Sequence, residues 1–170
     1  MDKILIEAKE AKNRLIDKMQ TLMLSTVDSQ GNPNSSYAPS IVDEKNNFYI
    51  YISKLSKHTE NLLNNPHISM MIIEDESKSE NIFGRKRFTM DAVASEIDRD
   101  SNEWEDKINL MEKKFGETIS FLKNMTDFYL FKIKPHHGLL VHGFARAFHF
   151  IGDNLDEIKH LNEQGHTEKK

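Results

Sequence analysis

The 170-residue chain has no cysteine. That absence removes disulfides, thiolate nucleophiles, thiolate-bound metal centres and iron–sulfur clusters at once. No apolar run approaches the length needed to cross a bilayer, so no membrane association is expected. Residues 1–19 are charged throughout and lack an unbroken apolar stretch, so no signal peptide is expected either. Neither a GxGxxG loop nor a Walker pattern occurs, and HExxH is missing. There are no internal repeats and no low-complexity linkers. The formal charge of −4 argues against a nucleic-acid partner. What is left is an ordinary globular composition, 38% hydrophobic and 29% charged, long enough to bury a core without covalent staples. A cytoplasmic location fits the lack of cysteine.

Hydrophobic spacing then organises the chain. Ile4, Ala8, Ala11, Leu15 and Met19 recur at helical intervals, and Gln20 ends the pattern. Residues 22–27, 35–41 and 48–52 read as three strands joined by two turns rich in Asp, Asn, Gly and Pro. Pro39 points to an edge or a bulge in the second of them. Ser56 to Leu63 reads as a short helix stopped before Pro66, and Ile68 to Ile73 as a fourth strand. Phe88 to Ile97 is a long fifth strand with Phe88, Met90, Ala92 and Ala94 on its apolar face. Trp104, Ile108, Met111, Phe115, Ile119 and Leu122 predict a second long helix, with a break at Gly116. A sixth strand is expected up to Pro135, and a seventh over 139–150 interrupted at Gly143. Many short strands with helices at intervals predict an α+β barrel with helical decorations. The expected division is a barrel domain over 1–152, N-terminal helix included, and a C-terminal tail over 153–170.

Three places carry chemistry-bearing residues. Ser53 to Thr59 follows a strand and opens a helix, so Lys54, Lys57 and His58 gather beside free backbone N–H groups. That is either an anion cradle or an ordinary helix cap with solvated lysines. Arg85-Lys86-Arg87 opens the fifth strand, with Arg85 and Arg87 on one face. The adjacent His136 and His137 follow Pro135 and read as turn residues facing solvent. Asp127 by itself reads as a turn residue, and His166, in the tail, as a frayed terminus.

The order of segments nevertheless resembles a known family. The block SxxSxHTxNL at 53–62, the run RKRFTMDAVAS at 85–95 and the block KPxxGxxVxGF at 134–144 resemble the pyridoxamine-phosphate-oxidase-like split barrels. Among these, the chain resembles the HugZ/HutZ haem-utilisation branch, over roughly Leu15 to His166. The resemblance implies an antiparallel split β-barrel, homodimeric, with its site between subunits. It implies haem as cofactor and oxygen-dependent cleavage to a biliverdin-type product, using dioxygen and an electron donor and releasing iron. By position, His166 is the implied axial ligand of the haem iron, and Asp127 of the other subunit its hydrogen-bond partner. Arg87 is implied on the opposite side of the haem, with Arg85 as its substitute; Lys54 and His58 are further cofactor-binding candidates. Flavin-binding members resemble the chain too. They carry a basic residue in the strand matching Ser35 to Ile41, where this sequence has none, so an FMN-dependent oxidoreductase would rely on Lys54 and Lys57. A non-catalytic haem carrier or storage protein is the third reading.

The chemistry is coherent. A neutral imidazole binds iron through one nitrogen, and its other N–H needs an orienting acceptor that also raises its basicity. Arginine is a permanent donor suited to the far side of the ring.

Overall fold

The computed structural model describes residues 2–143 and 146–161. Helix α1 (Lys3–Lys18) opens with the Asp2 carboxylate accepting from the Ile4 N–H at 3.2 Å, and it turns Ala8, Ala11 and Ile16 into the core. Strands β1 (Thr21–Val27), β2 (Pro33–Val42) and β3 (Phe48–Ser53) form the expected antiparallel meander. Helix α2 (Lys57–Asn64) and strand β4 (His67–Ile73) follow, then two short 3-10 turns and β5 (Arg87–Ile97). Helices α3 (Asn102–Phe115) and α4 (Glu117–Leu122) are separated where Gly116 takes φ +72°, a left-handed value that glycine adopts without strain. Strands β6 (Phe128–Val141), β7 (Ala147–Ile151) and β8 (Glu157–His160) complete the chain.

The sheet runs β3-β2-β1-β4-β5-β6-β7-β8, and β3 also pairs with β6. Strands β1 to β6 therefore close into an antiparallel barrel, while β7 and β8 extend from the outside of β6. Pro39 sits where β2 is bonded to β1 alone, one residue before the pairing passes to β3 at Ser40. A residue without an N–H costs no ladder bond there. Leu22, Phe48, Ile50, Phe88, Met90, Ile133 and Leu140 fill the barrel interior.

A second core lies outside the barrel. Tyr49 and Tyr51 of β3, Ile97 and Leu130 pack against Trp104, Ile108 and Met111 of α3 and Ile119 of α4. β3 is therefore buried on both faces within one chain. A strand apolar on both sides, such as Phe48 to Ile52, points in sequence to cover from a second subunit; the cover here is α3.

Two sequence expectations are corrected along β6. Pro135 does not end a strand. It pairs with Ala92, and a bulge between Asp91 and Ala92 leaves His136 as the extra residue before His137 pairs with Asp91. Residues 139–141 consequently belong to β6 and not to a separate seventh strand. His137 is also no solvent-facing turn residue. It is half-buried, with Nδ1 3.3 Å from the Asp91 carboxylate and Nε2 2.9 Å from His149 Nδ1. Beyond residue 152, Leu155 enters the main core and β8 pairs with β7.

Candidate functional site

Arg87 begins β5 on the outer face of the barrel. Its neighbours in register are Ile73 on β4 and Val141 on β6, and Val141 pairs onward with Ala147 on β7. Directly paired residues project from the same face. The half-buried guanidinium therefore stands in a row of aliphatic side chains, and among the described residues its Nη1 donates to the Arg85 carbonyl alone, at 3.2 Å. The next row, Tyr37-Met23-Met71-Thr89-Leu139-His149, continues the apolar surface across six strands. Tyr37 is 64% exposed and Met23 46%. Arg85 is differently employed: it donates to Glu76 at 3.0 Å and to the Glu74 carbonyl at 2.5 Å, which ties down the 74–86 segment.

Asp127 lies in the turn that enters β6. Its carbonyl accepts from the Lys54 N–H at 2.7 Å, which joins it to the start of α2. Nearby, His58 Nδ1 is 2.9 Å from Ser36 Oγ, and burial holds the imidazole below its ordinary pKa. Lys57 faces Asp28 at 3.7 Å. Two members of the anion-cradle candidate are thus already partnered.

The 123–128 turn is held by a residue that sequence reasoning did not single out. Arg99, in the short connection between β5 and α3, donates to the carbonyls of Lys123 (3.1 Å) and Met125 and to the Tyr51 hydroxyl (2.9 Å). Its guanidinium lies 5.0 Å from the Trp104 ring centre. Burial pushes the Tyr51 phenol up; Arg99 pulls it down, and the Asp127 charge adds a smaller upward push. Arg99 occurs in Asp98-Arg99-Asp100, which reads as a polar connection, so no periodicity or motif could have flagged it.

The structure divides the candidate residues into two groups. Arg85 and Arg87 stand at one end of the β5–β6 ladder; Asp127, Lys54 and His58 stand at the other. Val141, opposite Arg87, is separated from Phe128, next to Asp127, by roughly 40 Å of strand contour. A single chain does not bring Arg87 and Asp127 together. His166 lies outside the described residues. The described chain ends at Leu161, whose N–H donates to the Ala147 carbonyl at 2.9 Å, and Ala147 is two strands from Arg87 in register.

An α+β split barrel with this strand order defines the class. The family model described as pyridoxamine 5'-phosphate oxidase matches residues 8–142. The chain is 46% identical to the protein named heme oxygenase HutZ of Vibrio cholerae over 147 residues, 86% of this chain and 82% of that one. A crystal structure of HutZ from Vibrio cholerae, described as a heme storage protein, superposes with a TM-score of 0.72 at 41% identity, covering 76% of this chain and 90% of that one. Campylobacter jejuni ChuZ superposes with a TM-score of 0.85 at 29% identity, covering 97% of this chain and 66% of that one. The chain belongs to the pyridoxamine-phosphate-oxidase-like split barrels, in the HutZ-type haem-utilisation branch. Among the described residues, no helix is long and apolar enough to cross a membrane.

Proposed function

We propose that the protein binds haem between two copies of itself and cleaves it with dioxygen and an external reductant. The observation that carries this reading is Arg87 embedded in the aliphatic row Ile73, Val141 and Ala147 on an exposed apolar sheet face. Such a surface fits a flat hydrophobic macrocycle, and a guanidinium within it fits a polar group above the ring.

His166 is the proposed iron ligand. Five residues beyond Leu161 it reaches at most about 17 Å, and Ala147, on which Leu161 is anchored, lies within about 10 Å of Arg87 across two strand spacings. By chain length His166 can contribute to the same site as Arg87 of its own copy. Asp127 is at the far end of the ladder, so its role requires the second copy. Its carboxylate accepts the free imidazole N–H, fixes the ring's tautomer and raises its basicity. Arg87 donates hydrogen bonds on the opposite side and keeps that space polar. When bound, haem supplies both the oxygen chemistry and the ring that is oxidised. The homodimer is proposed on the same face, where Tyr37 and Met23 are exposed in one row with half-buried Met71 and Leu139.

The test is a titration of the purified protein with haem and separately with FMN, followed by ascorbate under air. A Soret band that decays to a linear tetrapyrrole, with iron captured by a ferrous chelator, is expected. A Soret band that persists through many equivalents of ascorbate would make this a haem carrier. Tight flavin binding without a Soret band would make it a flavoprotein.

A further inference from the structure

Beside Arg87, a cleft of about 810 Å³ runs between α1 and the 74–86 segment. Leu15, Met19, Met23, Met71 and Ile72 give it apolar walls. Its cations are split between two sides: Arg14 and Lys18 on α1, and Lys78, Arg85 and Lys86 opposite. Of the carboxylates on the same wall, Glu76 is paired with Arg85. Glu74 and Asp75 keep their charge and accept backbone N–H groups, from Lys86 at 2.8 Å and Ser77 at 2.9 Å, so cations still outnumber anions in the lining. Lys18, Lys78 and Lys86 make no ion pair among the described residues. Two buried polar atoms of the lining residues, Arg85 Nε and His142 Nδ1, also lack a hydrogen-bond partner among the described residues. Native proteins rarely leave such atoms orphaned unless a ligand or water completes them.

We infer that this cleft receives an amphiphilic dicarboxylate, the linear tetrapyrrole left after ring opening, and is the station through which product leaves. The inference rests on the haem-cleaving reading above. Apolar walls suit an apolar body, and cationic groups on two facing sides suit a ligand with two carboxylates. A linear tetrapyrrole carries two propionates and, once iron is lost, no axial bond retains it at His166. Lys86 and Ile73 border both the cleft and Arg87, so the two sites are continuous. Burial first, then the charges of Lys86, Arg14 and Arg146 against that of Glu7, hold His142 below its ordinary pKa.

The experiment titrates the haem-free protein with biliverdin, its dimethyl ester and oleate, read by absorbance and by intrinsic fluorescence. Biliverdin should bind at least tenfold more tightly than either comparison ligand, and its affinity should fall with salt. The double variant Lys18→Glu/Lys78→Glu changes one exposed side chain on each wall. It should weaken biliverdin about tenfold and leave haem affinity and melting temperature unchanged. Equal binding of the ester, equal binding of oleate, or loss of haem affinity in step with biliverdin would each overturn the assignment. Biliverdin binding is read without turnover. A chain that binds it but cannot cleave haem refutes the enzymatic reading, and one that cleaves haem but leaves biliverdin unbound refutes the product station.

Discussion

Arg99→Met is the substitution by which the placement of Asp127 can be judged. The methionine keeps most of the aliphatic volume and removes the charge and all five donors. Lost with them are hydrogen bonds to the Lys123 and Met125 carbonyls and to the Tyr51 hydroxyl, and the stacking on Trp104. Charged hydrogen bonds contribute about 1.5–3 kcal/mol each where dry. Arg99 is half-buried, so water replaces part of this and about 1 kcal/mol each is the better figure. Three bonds and a cation–π contact of about 0.5–1 kcal/mol then give roughly 3–4 kcal/mol. For a chain of this length that corresponds to a melting-temperature loss of roughly 10 °C, read by far-UV circular dichroism. The 123–128 turn should loosen as well, so haem turnover should fall about as far as in Asp127→Leu, roughly 10–100-fold. Arg99→Lys should recover part of the stability but little of the turnover, because a single ammonium cannot span the same acceptors. A melting temperature within 3 °C of the parent, or full turnover in a destabilised Arg99→Met protein, would refute the reasoning.

His166→Ala should weaken haem binding and move the Soret band, while the melting temperature of the haem-free protein stays unchanged. Asp127→Leu should bind haem yet degrade it about 10–100-fold more slowly, measured as Soret decay with ascorbate under air. Gly138→Ala should cost about 1–3 kcal/mol in a denaturant titration, because a Cβ there would stand 2.5 Å from the Phe88 ring. Burial raises the Asp43 carboxyl, but hydrogen bonds from Asn47, Tyr49 and Lys45 outweigh it and hold the pKa below its ordinary 3.8. That contribution is fully present above pH 3.8 and is lost as pH falls through the lower folded value, so Asp43→Asn should flatten the acid limb of stability against pH.

Much of the fold was readable because alternation and helical spacing are strong where one face is buried. β5 shows Phe88, Met90, Ala92 and Ala94 inward as its pattern requires, and the break at Gly116 fell where the helical rhythm allowed it. Local signals failed where tertiary pairing overrode them. Pro135 looks like a strand terminus, yet the bulge beside it lets β6 continue, and this carries His137 to His149. β8 is too short and too charged to announce itself; its pairing with β7 is what makes it a strand. The proposed site is legible only through resemblance. Arg87 and Asp127 have no sequence spacing that joins them, because their proposed meeting is between copies. Arg99 was missed because backbone carbonyls, its main acceptors, leave no mark on a sequence.

The central claim, a site assembled from Arg87 and His166 of one copy and Asp127 of another, is tested most directly by subunit complementation. Arg87→Ala and Asp127→Leu proteins are each assayed for haem loss, then mixed, dissociated and reassociated. Half of the random dimers carry one of each chain, and each of those has one intact site of two. The mixture should therefore recover about a quarter of parental turnover, well above either variant alone. Activity of the mixture equal to the mean of the two separate variants would contradict the shared site.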